Sequence, residues 1–250
     1  MLNNRAGAKN RPVVLITGAS GGLGRETALA FARAGYRVAV HYRQNRQRAL
    51  RVVSAIRRSG GDAHAFGADV GKSSDVARMF EEFSQHFPRL DVLIHSAGNT
   101  DPALILRMRP DQFDGVVRTH LTGGFLCTRA AARIMRRRKS GAILYIGSIL
   151  GARGVAGECN YAAAKAGLTA LAKSAARELG RYNISVNVVL PGYMMTSMGR
   201  ETSGQIARLA RQDNVFGQWT KPQDTARMIL ALCRSPWISG QVLNLDGRIL

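Results

Sequence analysis

Short apolar runs separated by longer amphipathic stretches set the rhythm of this chain. Residues 13–16, 38–40, 92–94 and 142–146 are near-continuous hydrophobic runs, and 184–190 and 242–245 are two more. Runs this short, apolar on both alternations, suit strands buried on both faces, which belong to parallel sheets. Between them apolar residues recur at helical spacing over 24–34, 47–58, 74–86, 109–138, 161–179 and 222–233. Asp111 and Pro222 read as helix starts, and Gly35 and Gly180 as helix ends. Alternating strands and helices with right-handed crossovers predict an α/β fold: a single doubly wound parallel sheet of Rossmann type with helices on both faces. Residues 11–250 are expected to form this one domain, after a flexible basic N-terminus of residues 1–10. The stretch 194–219 is the least regular and is expected to be a flexible loop or lid.

Composition agrees with one substantial core: 250 residues, 46% of them hydrophobic, with 27 glycines for tight strand-to-helix turns. Cys127, Cys159 and Cys233 lie far apart without metal-ligand spacing, so neither a disulfide framework nor a zinc site is expected. The N-terminus lacks the apolar stretch of a secretory signal, and no run approaches a membrane span, which points to the cytoplasm. Charge is the unusual property, +20 overall. Residues 27–61 hold eight arginines and no acid, and residues 115–157 are again free of acid. Such faces attract nucleic acid, acidic proteins or phosphorylated ligands, or are simply solvated surface. Against a nucleic-acid-binding protein on this fold stand an aromatic content of only 6% and the absence of a recognised binding motif.

Chemistry enters at the first turn. The first run ends in Thr17-Gly18-Ala19-Ser20-Gly21-Gly22-Leu23-Gly24 and opens a helix. Gly18 allows a tight turn, and Gly22 and Gly24 let backbone approach a pyrophosphate and pack the helix start on the sheet. The second run is followed by His41-Tyr42-Arg43, with no carboxylate before Asp62. A carboxylate there would select the ribose 2′-hydroxyl of NAD; Arg43 instead suits a 2′-phosphate, with Ser20 adding a hydroxyl. The expected cofactor is NADP(H). Further on, Tyr161 and Lys165 stand four residues apart, one turn along a helix, with Ser148 thirteen residues upstream. A phenol beside an ammonium is a proton donor whose pKa the charge can pull toward neutrality, and the serine hydroxyl can hold a substrate oxygen against it.

In order along the chain, TGASGGLG at 17–24, Ala68-Asp69-Val70, Ser96-Ala97-Gly98, Ser148, Tyr161-x-x-x-Lys165, Pro191-Gly192 and Ser239-Gly240-Gln241 resemble the short-chain dehydrogenase/reductase family. The stretches 120–128, 160–168 and 240–247 are most similar to its 3-oxoacyl-[acyl-carrier-protein] reductases. The resemblance implies that Asp69 and Val70 flank the adenine, Ser96, Ala97 and Gly98 line the ribose region, and Pro191, Gly192, Met194 and Thr196 hold the nicotinamide end. It further implies hydride transfer to a ketone, with Tyr161 as general acid, Lys165 lowering its pKa and holding the ribose, and Ser148 fixing the carbonyl. The implied substrate is a 3-ketoacyl thioester on acidic acyl carrier protein, met by Arg129, Arg133, Arg136, Arg137, Arg138 and Lys139; the implied assembly is a homotetramer. Acetoacetyl-CoA, a polyketide or another small ketone is the alternative substrate. In two places the chain departs from the family. His120 stands where an asparagine usually joins a proton relay to the lysine, and an imidazole can also donate and accept. His95-Ser96 stands where two asparagines are common.

Overall fold

The computed structural model describes residues 11–195 and 204–249. The expected N-terminal arm, residues 1–10, and Thr196 lie outside the described residues. Seven strands form one sheet in the order β3-β2-β1-β4-β5-β6-β7, every pair parallel. The strands are β1 Val13–Thr17, β2 Arg37–Tyr42, β3 Ala63–Gly67, β4 Val92–His95, β5 Gly141–Ile146, β6 Ile184–Pro191 and β7 Val242–Leu245. The order reverses between β1 and β4, where Val14 pairs with Val92 and Thr17 with His95. Sheets of this kind open a ligand crevice at the carboxyl ends of those strands.

The alternation within β1 assigns the two faces. Val13 and Leu15 point into one core layer, Val14 and Ile16 into the other. The first layer is closed by α3 Ser73–His86, α5 Gly123–Met135 and α6 Cys159–Leu179, through Met79, Phe83, Leu126, Met135 and Leu168. The second is closed by α1 Gly22–Arg33, α2 Arg46–Arg58 and α8 Pro222–Cys233, through Phe31, Val53, Ile56 and Ile229. Apolar surface is thus removed from water on both sides, which is why the strand runs are continuously hydrophobic.

Four features differ from the expectation. Ala63–Gly67 is a strand, although Ala, His and Gly give it little β signal; its pairing with β2 from Val38↔Ala63 to Tyr42↔Gly67 makes it one. The helix expected over 109–138 is broken into α4 Pro110–Val117, a π turn Arg118–Thr122, α5 and a 3-10 turn Arg136–Arg138. Gly35 does close a helix with φ 88°, but Gly180 is helical and Asn183, φ 53°, takes the left-handed position beyond it. Within 194–219 a helix, α7 Gly204–Gln212, is formed.

Candidate active site

β1 delivers the glycine turn to the crevice. Gly18 has φ +69°, and a Cβ there would stand 2.9 Å from the Ser96 carbonyl oxygen. A Cβ on Gly24 would stand 2.4 Å from the Gly18 carbonyl oxygen. Gly22 is also left-handed, φ +51°. The helix α1 starts at Gly22 without a side-chain cap or an acid in its first turn. Its leading amides are therefore open to an anion, in a cradle that side chains would fill. Leu23 is buried and anchors the turn from below, while Ser20 is half-buried at its crest. This arrangement fits the pyrophosphate of a dinucleotide.

Around the turn the other expected residues converge. Thr17 Oγ1 accepts from the amides of Ser96 and Ala97, each at 3.0 Å, and bonds His95 Nδ1 at 3.1 Å. His95 Nε2 donates to the His120 carbonyl at 3.0 Å, because a carbonyl can only accept; Nδ1 then accepts from the threonine hydroxyl. The departure at His95 thus ties β1, β4 and the π turn together. Gly98 lies so close to the His120 ring that a Cβ would fall 2.3 Å from Cε1. Asp69 Oδ1 accepts from Gly71, its own amide donates to Asp75 Oδ2, and Val70 is buried. Arg43 is exposed just beyond β2, before the Asn45-capped start of α2. Pro191 ends β6, Gly192 packs against Thr220, and Met194 is partly buried in the second core layer.

The proton-handling residues sit across the crevice. β5 ends at Ile146, and Ser148 follows in a short loop, half-buried. The serine hydroxyl accepts from the Leu150 amide at 3.2 Å and stands near enough to the Tyr161 phenol to pull its pKa down. Lys165 is buried, its Nζ donating to the Ile146 carbonyl at 2.6 Å and lying 5.3 Å from the Tyr161 ring centroid. The His120 ring stands edge-on to Tyr161, centroids 5.2 Å apart. Its Nε2 meets the Asn99 carbonyl at 2.9 Å and the Asn99 amide at 3.2 Å. Its Nδ1 is buried with no hydrogen-bond partner among the described residues.

Electrostatics corrects one expectation. Burial pushes the Tyr161 phenol up to about 12, against the opposing pull of the nearby Ser148 hydroxyl, and Glu158 pushes it further up. Burial lowers Lys165 to about 7. The ammonium therefore does not bring the phenol toward neutrality: Nζ is aimed at a backbone carbonyl, and both groups lose hydration. Burial likewise lowers His41 to about 4, His95 to about 3 and His120 well below 6.5. All three histidines are neutral in the fold but bind protons near pH 6.5 once unfolded. Their contribution to stability is complete above pH 6.5 and is lost as pH falls toward 4, each by up to about 1.4 kcal/mol per pH unit. Urea unfolding at pH 7, 5.5 and 4.5 should show stability falling steeply; a constant value across this range contradicts neutral burial.

Sequence reasoning missed two residues at the start of α6. Asn160 is fully buried; its amide donates to the carbonyls of Asp101 (2.9 Å) and Gln112 (3.3 Å), and its oxygen accepts from the Tyr161 amide. It pins the helix that carries Tyr161 to α4. Glu158 has a buried carboxylate oxygen with no partner among the described residues, and burial raises its pKa. Asn160 entered the sequence reading only as the first residue of the 160–168 stretch, with no role of its own, and only closeness to Tyr161 hinted at Glu158. On the far side, a cavity of about 420 Å³ opens between Met195, Arg211, Trp219 and Lys221, beside the Gly192 loop. Arg153, in the turn after Ser148, pairs with Asp213 beyond α7 at 2.6 Å, so the 194–219 stretch is tied to the crevice rim. Arg129, Arg133, Arg136, Arg137, Arg138 and Lys139 are all exposed, without an ion pair among the described residues. The helix carrying them runs away from the crevice: Arg136 lies roughly 24 Å along it from His120.

Residues 12–207 match the short chain dehydrogenase family. A 3-oxoacyl-[acyl-carrier-protein] reductase of Synechocystis is 39% identical over 242 residues, covering 94% of this chain and 95% of that protein. Proteins of the same name from Staphylococcus aureus (40%, 93% and 96% covered) and Staphylococcus epidermidis (37%, 93% and 96%) are also similar.

Proposed function

The chain belongs to the short chain dehydrogenase family, and from that premise we propose that it reduces a 3-ketoacyl thioester, carried on acyl carrier protein, to the 3-hydroxyacyl form with NADPH. It is an oxidoreductase that binds a nicotinamide cofactor. The observation that carries the reading is the buried Lys165, its Nζ 5.3 Å from the Tyr161 ring centroid and Ser148 beside the phenol, across the crevice from an uncapped glycine-turn helix start. The bound dinucleotide supplies the hydride. Gly18, Ser20, Gly22, Leu23 and Gly24 cradle its pyrophosphate, Asp69 and Val70 its adenine, Ser96, Ala97 and Gly98 its ribose region, and Pro191, Gly192, Met194 and Thr196 its nicotinamide end.

Tyr161 enters the reaction protonated, since burial raises its pKa, and gives that proton to the carbonyl oxygen as negative charge develops there. Ser148 holds the same oxygen within reach. Lys165 uses one of its three donors on Ile146, leaving two for the ribose hydroxyls. The unpartnered Nδ1 of His120 is the atom that would take a relay water where the family usually has asparagine.

The NADP preference rests on Arg43 and on the absence of acid from residues 27–61. NADPH should exceed NADH by at least about tenfold in kcat/KM, as expected when an Arg–phosphate pair is gained and no carboxylate holds a 2′-hydroxyl. Arg43→Asp should reverse the order; comparable efficiency of the wild-type protein with both cofactors contradicts it. The acidic carrier is drawn by the six exposed cations of α5 and its end. The run from Arg136 to Lys139 lies at the end of the helix away from the crevice, where it can instead face a neighbouring subunit of a homotetramer, while Arg129 lies nearer the crevice.

A further inference from the structure

His41 has no part in the chemistry above, yet it joins the two loops between which the adenosine half of the cofactor is proposed to lie. The residue is 1% exposed, at the carboxyl end of β2. The Gly18 amide donates to its Nδ1 at 3.0 Å, and its Nε2 lies 3.0 Å from the Ala68 carbonyl oxygen. An amide can only donate and a carbonyl only accept, so one tautomer satisfies both: Nε2 carries the hydrogen and Nδ1 the lone pair. The backbone adds a third tie, from the Ala19 amide to the His41 carbonyl at 3.1 Å. One neutral imidazole therefore spans from the first residue of the glycine turn to the residue before Asp69.

We propose that His41 is a positioning residue for the dinucleotide, holding the Gly18 turn and the Ala68–Val70 loop at the separation that the adenosine half requires. The proposal rests on the nicotinamide-cofactor reading above. Without the imidazole, a buried amide and a buried carbonyl lose their partners, and both loops relax in the free protein. Binding must then restore their spacing, so the effect falls on affinity and is felt by any ligand that fills the adenosine half, whether or not it carries a nicotinamide.

The test uses the full-length protein, with NADPH and 2′,5′-ADP as probes titrated by calorimetry, and with Tm and kinetics followed in parallel. His41→Leu should weaken both probes by the same factor, about tenfold for two unpaired buried groups, and should leave the KM for the ketone unmoved. His41→Asn keeps an acceptor for Gly18 and His41→Gln a donor for Ala68, so each should restore part of the affinity. A purely structural histidine would lower Tm and leave both affinities within twofold of wild type; that result in folded variants overturns the proposal. Should the leucine variant not fold, the Asn and Gln variants decide by the same criterion, since each breaks one of the two bonds. A wild-type protein that binds neither NADPH nor NADH overturns the cofactor reading itself and this proposal with it, whereas tight wild-type binding with unchanged variants sinks this proposal alone.

Discussion

Replacing Tyr161 by phenylalanine should lower kcat at least about a hundredfold while leaving NADPH affinity and Tm nearly unchanged. The substitution removes one oxygen and nothing else. The ring keeps its edge-on packing against His120, 5.2 Å between centroids, and its place over Lys165. Asn160 continues to hold the helix start through the backbone amide of residue 161. What is lost is the phenol proton, which stands beside Ser148 and is kept on its oxygen by burial at neutral pH. Water can replace that donor only without its orientation, which is where the rate is lost. Near-normal turnover in the phenylalanine protein would remove Tyr161 from the reaction.

Gly24→Ala should disable the protein by a different route, at the cofactor. The new Cβ would meet the Gly18 carbonyl oxygen at 2.4 Å, the Gly18 carbonyl carbon at 2.9 Å and the Ala19 Cα at 3.1 Å. All three are backbone atoms, so no side chain can rotate away. Either α1 tilts off the sheet or the glycine turn opens. Overpacking of this kind costs about 1–3 kcal/mol of stability. An opened turn also no longer aims its amides at one point, and displacement of about 1 Å at a positioning group costs roughly a hundredfold in kcat/KM. The control is Gly115→Ala on α4, whose Cβ would meet nothing within 4 Å and which should be neutral or slightly stabilising. Equal behaviour of the two variants in thermal unfolding and NADPH titration would refute the close-packed turn.

Legibility in the sequence followed the range of the interactions. The strands buried on both faces were readable because burial on both sides demands continuous apolar runs, as in β1, β4 and β5. The glycine turn and the Tyr161/Lys165 spacing were readable because a turn and a helix place their residues by local geometry alone. Ala63–Gly67 was not, since its strand character comes from pairing with β2 rather than from its own residues. The π turn at Arg118–Thr122 was hidden for a similar reason. It is fixed by His95 reaching across from β4 to the His120 carbonyl, a contact between residues 25 apart. The direction of the Tyr161 pKa failed on the same ground. Spacing puts Lys165 beside the phenol, but only the fold shows that its ammonium is bonded to Ile146 and that both groups are desolvated. His41 was seen in the sequence only as the neighbour of Arg43, and its two bonds became visible when β1, β2 and β3 were laid side by side.

The most direct measurement is the consumption of NADPH by the purified protein with a 3-oxoacyl chain on acyl carrier protein, followed at 340 nm with the acyl product identified by mass spectrometry. The expected result is one NADPH oxidised per 3-hydroxyacyl carrier formed, at a rate at least about a hundredfold lower in the Tyr161→Phe protein. No reduction of carrier-bound, CoA-bound or small 3-keto substrates with either NADPH or NADH would contradict it.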